Sequence, residues 1–140
     1  MSFLPLKRHQ RVYFLFTRIE TKWYLKIQTG FNHMAIAWPI SPEHIYLLEP
    51  TFTGSLTCLK NLEDLNHKDI TVLSLDLVHN PESKLVRLSF QTCATICQYL
   101  AGIDLGCKLV QSLYEKLTTE SSTYLRSCGI KRVTSWVWKQ

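Results

Sequence analysis

The stretch TCATICQYLAGI, residues 92–103, decides the fold class because the chain changes there from strand-forming to helix-forming sequence. Thr92 is a favourable residue for the N-cap of a helix, and Gly102 suits a helix C-terminus. We therefore predict a helix over Thr92–Leu100 that has Cys93 in its first turn. The sequence before this stretch predicts strands, and the sequence after it predicts mainly helices.

The strand predictions come from short runs of β-branched and aromatic residues that turn residues separate. Two of these runs, His33–Trp38 and Ile45–Glu49, flank Pro39 and the Ser41-Pro42 turn, so we predict that they form a hairpin. The other predicted strands are Val12–Thr17, Lys22–Gln28, Ser55–Leu59, Thr71–Val78 and Lys84–Phe90.

Two further helices are predicted after the first. Leu105–Leu117 carries leucines four residues apart, which is the spacing of one helix face. Ser121–Cys128 predicts a short helix, and Val133–Trp138 predicts a return to the sheet. Strands first and helices last indicate an α+β fold in which an antiparallel sheet of N-terminal strands packs against two to three C-terminal helices. The length predicts a single domain over residues 1–140.

The composition indicates a globular protein and argues against a membrane-spanning or exported one. Hydrophobic residues make up 46% of the 140 residues and charged residues 19%, so the chain has the composition of a globular protein. No stretch approaches the roughly 18–20 apolar residues that cross a bilayer, and the N-terminus lacks the pattern of an export signal. We expect no membrane partner and a cytoplasmic location, which for a phage-encoded protein would be the host cytoplasm or the virion.

The five cysteines do not form the pattern of a disulfide framework or a zinc site. Their number is odd and no CxxC pair occurs, so a reducing compartment is the simpler expectation. The nearest pair, Cys93 and Cys97, has no histidine close in sequence. We predict no metal and no cofactor.

Cys93 is the candidate nucleophile. At the start of a helix, the helix dipole and the backbone N–H groups favour a thiolate over a thiol. The N–H of Cys93 itself and the side chain of Gln91, two residues earlier, are candidate donors to an oxyanion. Cys97, one turn further on, is expected to pack in the core.

His33 is the candidate base, because it opens an apolar strand and can therefore lie at the rim of the sheet. A strand-edge histidine that faces a cysteine at a helix start gives a Cys–His pair, in which the imidazole moves the proton. A third group normally orients the histidine. Glu49, at the end of the neighbouring predicted strand, is the first choice for that group, and His44 is the second.

Three phrases in this order carry a family resemblance: residues 32–38 (NHMAIAW), residues 47–51 (LLEPT) and residues 92–103. A histidine on a strand, a second strand that ends in a polar residue and proline, and a later cysteine that opens a helix resemble the circularly permuted papain-like cysteine hydrolases and acyltransferases. The resemblance spans roughly residues 32–117. It implies a permuted papain-like fold and acyl transfer through Cys93, His33 and Glu49, on a peptide or other acyl substrate.

Two other functions remain open at this stage. The aromatic N-terminal strands and the alternating Trp136 and Trp138 suit a non-enzymatic interaction protein, such as a phage virion component with a degenerate papain-like site, that docks on the edge of a partner's sheet. The net charge of +5 permits a basic patch if the two chain ends meet. No nucleic-acid-binding motif accompanies that charge, so the sequence does not favour a nucleic-acid partner.

Overall fold

Runs of β-branched and aromatic residues form strands, and three helices follow residue 92 before the chain ends in a last described strand, so the predicted α+β class is confirmed. The structure is a computed structural model, and it describes residues 11–18, 29–39, 44–49, 58–61, 70–78 and 92–136. The elements within these ranges are β1 Arg11–Thr17, β2 His33–Pro39, β3 His44–Leu48, β4 Cys58–Asn61, β5 Thr71–Leu77, α1 Cys93–Ala101, α2 Val110–Thr119, α3 Ser122–Ser127 and β6 Ile130–Trp136.

The described strands form one six-stranded sheet in the order β4-β3-β2-β1-β5-β6, and every neighbouring pair is antiparallel. The predicted β2–β3 hairpin is present, with Ile36 opposite Leu48. β1 lies between β2 and β5, which explains its apolar sequence, since an inner strand is buried on both of its faces. The predicted strands Lys22–Gln28 and Lys84–Phe90 lie outside the described residues.

The main core lies between one face of the sheet and the three helices. Because side chains alternate along a strand, Phe14 and Phe16 of β1 face the helices while Leu15 faces the other side. The helices contribute a set of buried side chains to the same cluster: Ala94, Cys97, Val110, Leu113, Leu117 and Leu125. A second, smaller apolar cluster that includes Leu15 is buried on the opposite face of the sheet.

The prediction of a helix over Leu105–Leu117 is wrong at its start, because α2 begins only at Val110. Burial alternates residue by residue from Ala101 to Lys108, as in an extended chain. Gly106 adopts a φ of 70°, which a continuing helix does not allow. In addition, the buried side chain of Gln98 accepts from the N–H of Leu105 and donates to the carbonyl of Cys107. These tertiary bonds replace the helical ones.

The last strand also begins earlier than the predicted Val133–Trp138. Its first residue, Ile130, is fully buried and pairs with Leu77 beyond an irregularity in the β5–β6 register. The strand therefore includes three residues, Ile130, Lys131 and Arg132, that the sequence pattern did not assign to it. The predicted return of the chain to the sheet is confirmed.

Candidate active site

Cys93 is the first residue of α1, as predicted. Thr92 has an extended backbone, with φ −121° and ψ 171°, and its hydroxyl accepts a hydrogen bond from the N–H of Thr95. The Thr95 hydroxyl in turn accepts from the N–H of Thr92, which completes a capping box. At the other end, Gly102 adopts the left-handed conformation that terminates the helix. The two caps therefore place Cys93 in the first turn.

His33 opens β2, and α1 packs against this strand. Its backbone is held by pairing with Thr17, the last residue of β1. Cys93 Sγ lies 3.5 Å from His33 Nδ1, although the two residues are 60 positions apart in sequence. The fold therefore brings the predicted nucleophile and the predicted base into hydrogen-bonding contact.

Glu49 directly follows β3 and reaches the other side of the same imidazole. Its Oε1 lies 3.1 Å from His33 Nε2. The His33 side chain is 15% exposed, whereas that of Glu49 is 52% exposed. The histidine is therefore oriented from both ring nitrogens, by a thiol on one side and by a carboxylate on the other.

The second choice for the orienting residue does not share this position. His44 begins β3, where its backbone pairs with Asn61 of β4. Glu49 directly follows the opposite end of the same strand, about 17 Å away at the usual rise per residue. The structure therefore favours Glu49 over His44. Gln91, the predicted side-chain donor to an oxyanion, lies outside the described residues.

The surroundings of His33 favour its protonated form. Burial lowers the pKa of His33, but hydrogen bonds and charge attraction from Cys93 and Glu49 outweigh burial and raise the pKa from 6.5 to about 9. At neutral pH the imidazole therefore carries a positive charge next to the sulfur. A neighbouring histidine and a position at the start of a helix are both features of reactive cysteines.

Cys97, the second cysteine of α1, has the opposite surroundings. It is fully buried, as predicted, and burial raises the pKa of the Cys97 thiol well above its ordinary value, with a further contribution from the charge of Cys93. A thiol in that environment stays neutral. Cys97 is therefore a packing residue of the core.

The segment Lys108–Gln111 bridges the two flanks of the Cys–His pair, and sequence reasoning missed it. The Thr92 hydroxyl, next to Cys93, donates to the carbonyl of Lys108 at 2.7 Å. The N–H of Phe31, two residues before His33, donates to Gln111 Oε1 at 2.8 Å. A single short segment therefore hydrogen-bonds a residue close in sequence to each of the two reactive side chains. No local pattern signals these contacts, because one of them joins residues 80 positions apart.

Gly30 explains how Gln111 comes so close to the chain before β2. Gly30 has a φ of 69°, and a Cβ at this position would overlap with the Gln111 side chain. Phe31 also contacts the ring of Tyr114 on α2, with 4.9 Å between ring centroids. The position of the Gln111 side chain, and with it the hydrogen bond from Phe31, therefore depends on a residue without a side chain.

The first and last described strands, β1 and β6, lie on either side of β5. The cations they bring together share one carboxylate. Arg11 Nε lies 2.8 Å from Asp76 Oδ1, and Arg132 Nε lies 3.7 Å from Asp76 Oδ2. This part of the basic surface is therefore partly neutralised. Trp138 lies outside the described residues, so the shared face predicted for the C-terminal tryptophans stays a prediction.

Comparison with protein-family models, with curated proteins and with solved structures finds no match to this chain. The family resemblance therefore stays a hypothesis. Within the described ranges, no group of three or more His, Cys, Asp and Glu side chains is arranged to hold a metal ion. None of the helices in those ranges is long and apolar enough to cross a membrane.

Proposed function

We propose that this protein is a cysteine-dependent acyl hydrolase or acyltransferase that uses Cys93 as nucleophile, His33 as acid–base and Glu49 as orienting residue. The observation that carries the proposal is the contact of 3.5 Å between Cys93 Sγ and His33 Nδ1, with Glu49 held on the other imidazole nitrogen. A nucleophile, a base in reach of it and a group that orients the base are what covalent acyl transfer requires.

The first step is attack of the Cys93 thiolate on the carbonyl carbon of an amide, ester or thioester. The carbonyl π electrons move to oxygen, and the N–H of Cys93 at the start of α1 is the proposed donor to this oxyanion. When the tetrahedral intermediate collapses, His33 Nδ1 gives its proton to the leaving nitrogen, oxygen or sulfur. The product of this step is a thioester between Cys93 and the acyl group.

The second step transfers the acyl group onward. Neutral His33 now accepts a proton from water or from another nucleophile, which attacks the thioester carbonyl. Sγ leaves as thiolate and the imidazolium is restored. Throughout the cycle Glu49 keeps Nδ1 directed toward the sulfur and stabilises the charged ring, which explains why it binds the opposite nitrogen.

The order of the elements supports a permuted papain-like architecture as part of this proposal. The base comes from a strand that precedes the nucleophile in sequence, and the nucleophile opens a helix that packs on that strand. The orienting residue follows the neighbouring strand of the hairpin. This is the order that the resemblance implies.

Alkylation kinetics of the folded protein test the proposal without a known substrate. At pH 7 we expect iodoacetamide to label Cys93 roughly ten times faster than it labels glutathione, because a histidine in contact with a cysteine sulfur activates the sulfur as a nucleophile. His33→Ala should remove this advantage, and Cys93→Ser should remove the label, located by mass spectrometry of the digested protein.

His44→Ala is the matched control, because this histidine begins β3 at the end far from Glu49. It should leave the rate of Cys93 alkylation unchanged. A Cys93 that reacts no faster than glutathione, or that reacts equally fast after His33→Ala, would rule out a histidine-activated nucleophile. The interaction-protein hypothesis would then take precedence.

A further inference from the structure

The peptide group that joins Gly30 to Phe31 is hydrogen-bonded at both of its polar atoms by side chains from other parts of the chain. Arg18 Nη1 donates to its oxygen, the carbonyl of Gly30, at 2.6 Å. Its N–H, that of Phe31, donates to Gln111 Oε1 at 2.8 Å. Arg18 directly follows β1 and Gln111 lies on α2, so two distant parts of the chain fix one peptide group.

The bond from Arg18 orients this peptide group more than it satisfies it. Gly30 is exposed, where water can also bond a carbonyl oxygen. Its φ of 69° lies in a region that glycine enters easily, and glycine has several backbone conformations of similar energy. A charge-assisted bond to the carbonyl and a second bond to the N–H select one of them.

The fixed peptide group leads directly to the candidate base. Phe31 is followed by Asn32, whose N–H donates to the carbonyl of Thr17 at 3.1 Å. The next residue, His33, pairs with Thr17 in the sheet. A rotation of the Gly30–Phe31 peptide would therefore be passed on to the backbone that carries the imidazole.

We infer that Arg18 is a positioning residue of the Cys–His pair, which acts jointly with Gln111 by fixing the peptide group three residues before His33. The inference rests on the proposed function and deepens it, because it names what holds the base in place. The contact between Cys93 Sγ and His33 Nδ1 is 3.5 Å long, and a displacement of about 1 Å at such a contact is enough to slow a reaction strongly.

Arg18→Met tests the inference because it removes the donor while it keeps an unbranched side chain. Iodoacetamide alkylation of Cys93 at pH 7 should slow by about three- to tenfold. In an NMR titration the pKa of His33 should fall below its value of about 9, since the bonds from Cys93 and Glu49 that raise it become weaker. A cation that acted only through space would have the opposite sign, because its removal would raise the pKa.

Two further variants separate the role of the bond from that of an exposed arginine in general. Arg18→Lys keeps a cationic donor and should recover most of the wild-type alkylation rate. Arg11→Met is the matched control, because Arg11 begins β1 at the end far from His33 and bonds Asp76 instead. It should leave both the alkylation rate and the pKa of His33 unchanged.

The double variant Arg18→Met/Gln111→Ala tests whether the two residues act jointly. Side chains that bond the same peptide group are energetically coupled, so the combined slowing of alkylation should differ from the product of the two single effects by more than about twofold. Single effects that simply multiply would show that Arg18 and Gln111 act independently, and the joint role would be overturned.

The outcomes distinguish this inference from the proposed function. If wild-type Cys93 reacts no faster than glutathione and ignores His33→Ala, the proposed function fails. If wild-type Cys93 reacts fast and depends on His33, but Arg18→Met leaves the rate unchanged or raises the pKa of His33, the inference is overturned and the proposed function stands. A lower Tm in Arg18→Met with an unchanged rate and an unchanged pKa would likewise overturn it, because Arg18 would then serve stability alone.

Discussion

The first and second turns of α1 each present a cysteine to a different environment. Cys93 is half-buried and contacts the imidazole of His33, whereas Cys97 is fully buried among apolar side chains. The residue type and the helix are the same, so the difference comes from distance to the helix end and from the neighbours. It shows that position in the fold, more than residue identity, makes a thiol a candidate nucleophile.

The largest expected effect is the contrast in reactivity between these two thiols. Under native conditions we expect Cys93 to be alkylated at least about 10³ times faster than Cys97, because Cys97 reacts only when the core opens. In a concentration of urea that unfolds the chain, the two rates should converge. Quantitative mass spectrometry of the two labelled positions gives the ratio of the two alkylation rates. A ratio close to one under native conditions would show that the fold does not make Cys93 more reactive than Cys97.

Glu49→Gln should have the next largest effect, because it keeps an acceptor for His33 but removes the charge. We expect the pKa of His33 to fall below its value of about 9, since a source of attraction is lost while the lowering effect of burial stays. Cys93 alkylation at pH 7 should slow by about tenfold. NMR titration of the imidazole measures the shift, and Glu120→Gln, an exposed carboxylate elsewhere, serves as control.

The raised pKa of His33 also makes the stability of the folded protein depend on pH. His33 has a higher pKa in the folded protein than its ordinary 6.5, so the stabilisation from its proton is complete below about pH 6.5 and is lost as the pH rises through about 9. In Glu49→Gln this loss should begin at lower pH. Urea unfolding between pH 6 and pH 10 gives the free energy of unfolding of the two proteins as a function of pH. If this free energy changed with pH in the same way in both proteins, Glu49 would not be the source of the raised pKa of His33.

Thr92→Ala tests how much the N-cap of α1 contributes to the stability of the protein and to the reactivity of Cys93 in the first turn. Losing the cap and the bond to Lys108 should lower the free energy of unfolding by about 1–2 kcal/mol and slow Cys93 alkylation. Ser121→Ala removes the corresponding cap of α3, where Ser121 accepts from the N–H of Tyr124. This control should lose a similar stability and leave the alkylation rate unchanged. If both variants slowed alkylation equally, the cap would act only through global stability.

Gln111→Ala should have the smallest effect, of about 0.5–1.5 kcal/mol in stability and a few-fold in alkylation rate, because the N–H of Phe31 loses its acceptor. The double variant Gln111→Glu/Glu115→Gln keeps an oxygen for Phe31 and exchanges the donor and acceptor of the Gln111–Glu115 pair. It should recover the wild-type rate. A rate that Gln111→Ala leaves unchanged would show that the bridge does not position His33.

Much of the local structure followed from short-range signals. Thr92 and Gly102 marked both ends of α1, and the apolar run from His33 to the turn at Pro39 marked β2. The prediction failed where a distant side chain determines the backbone. Leucine spacing favoured a helix from Leu105, but the bonds from Gln98 hold that residue in an extended segment. The spacing of apolar residues shows which side chains can share one helix face. It does not show which backbone N–H and C=O groups are hydrogen-bonded by side chains elsewhere in the fold.

The candidate site likewise has residues that the sequence predicted and contacts that it did not predict. The residue types and their places at the ends of elements suggested Cys93, His33 and Glu49, because strand ends and helix starts leave side chains accessible. The Lys108–Gln111 bridge had no signal in the sequence. Its contact with Phe31 depends on a Gln111 side chain that lies where a Cβ at position 30 would be, which Gly30 permits.

The sequence by itself determined the elements: strands before residue 92, helices after it, and a cysteine in the first turn of a capped helix. These features depend on dihedral preferences and hydrogen bonds between residues a few positions apart. Only the tertiary structure decided that β1 lies between β2 and β5, that α1 packs on β2, and that Sγ of Cys93 meets the ring of His33. Such contacts join residues far apart in the chain, and their geometry is fixed by strand pairing and core packing together.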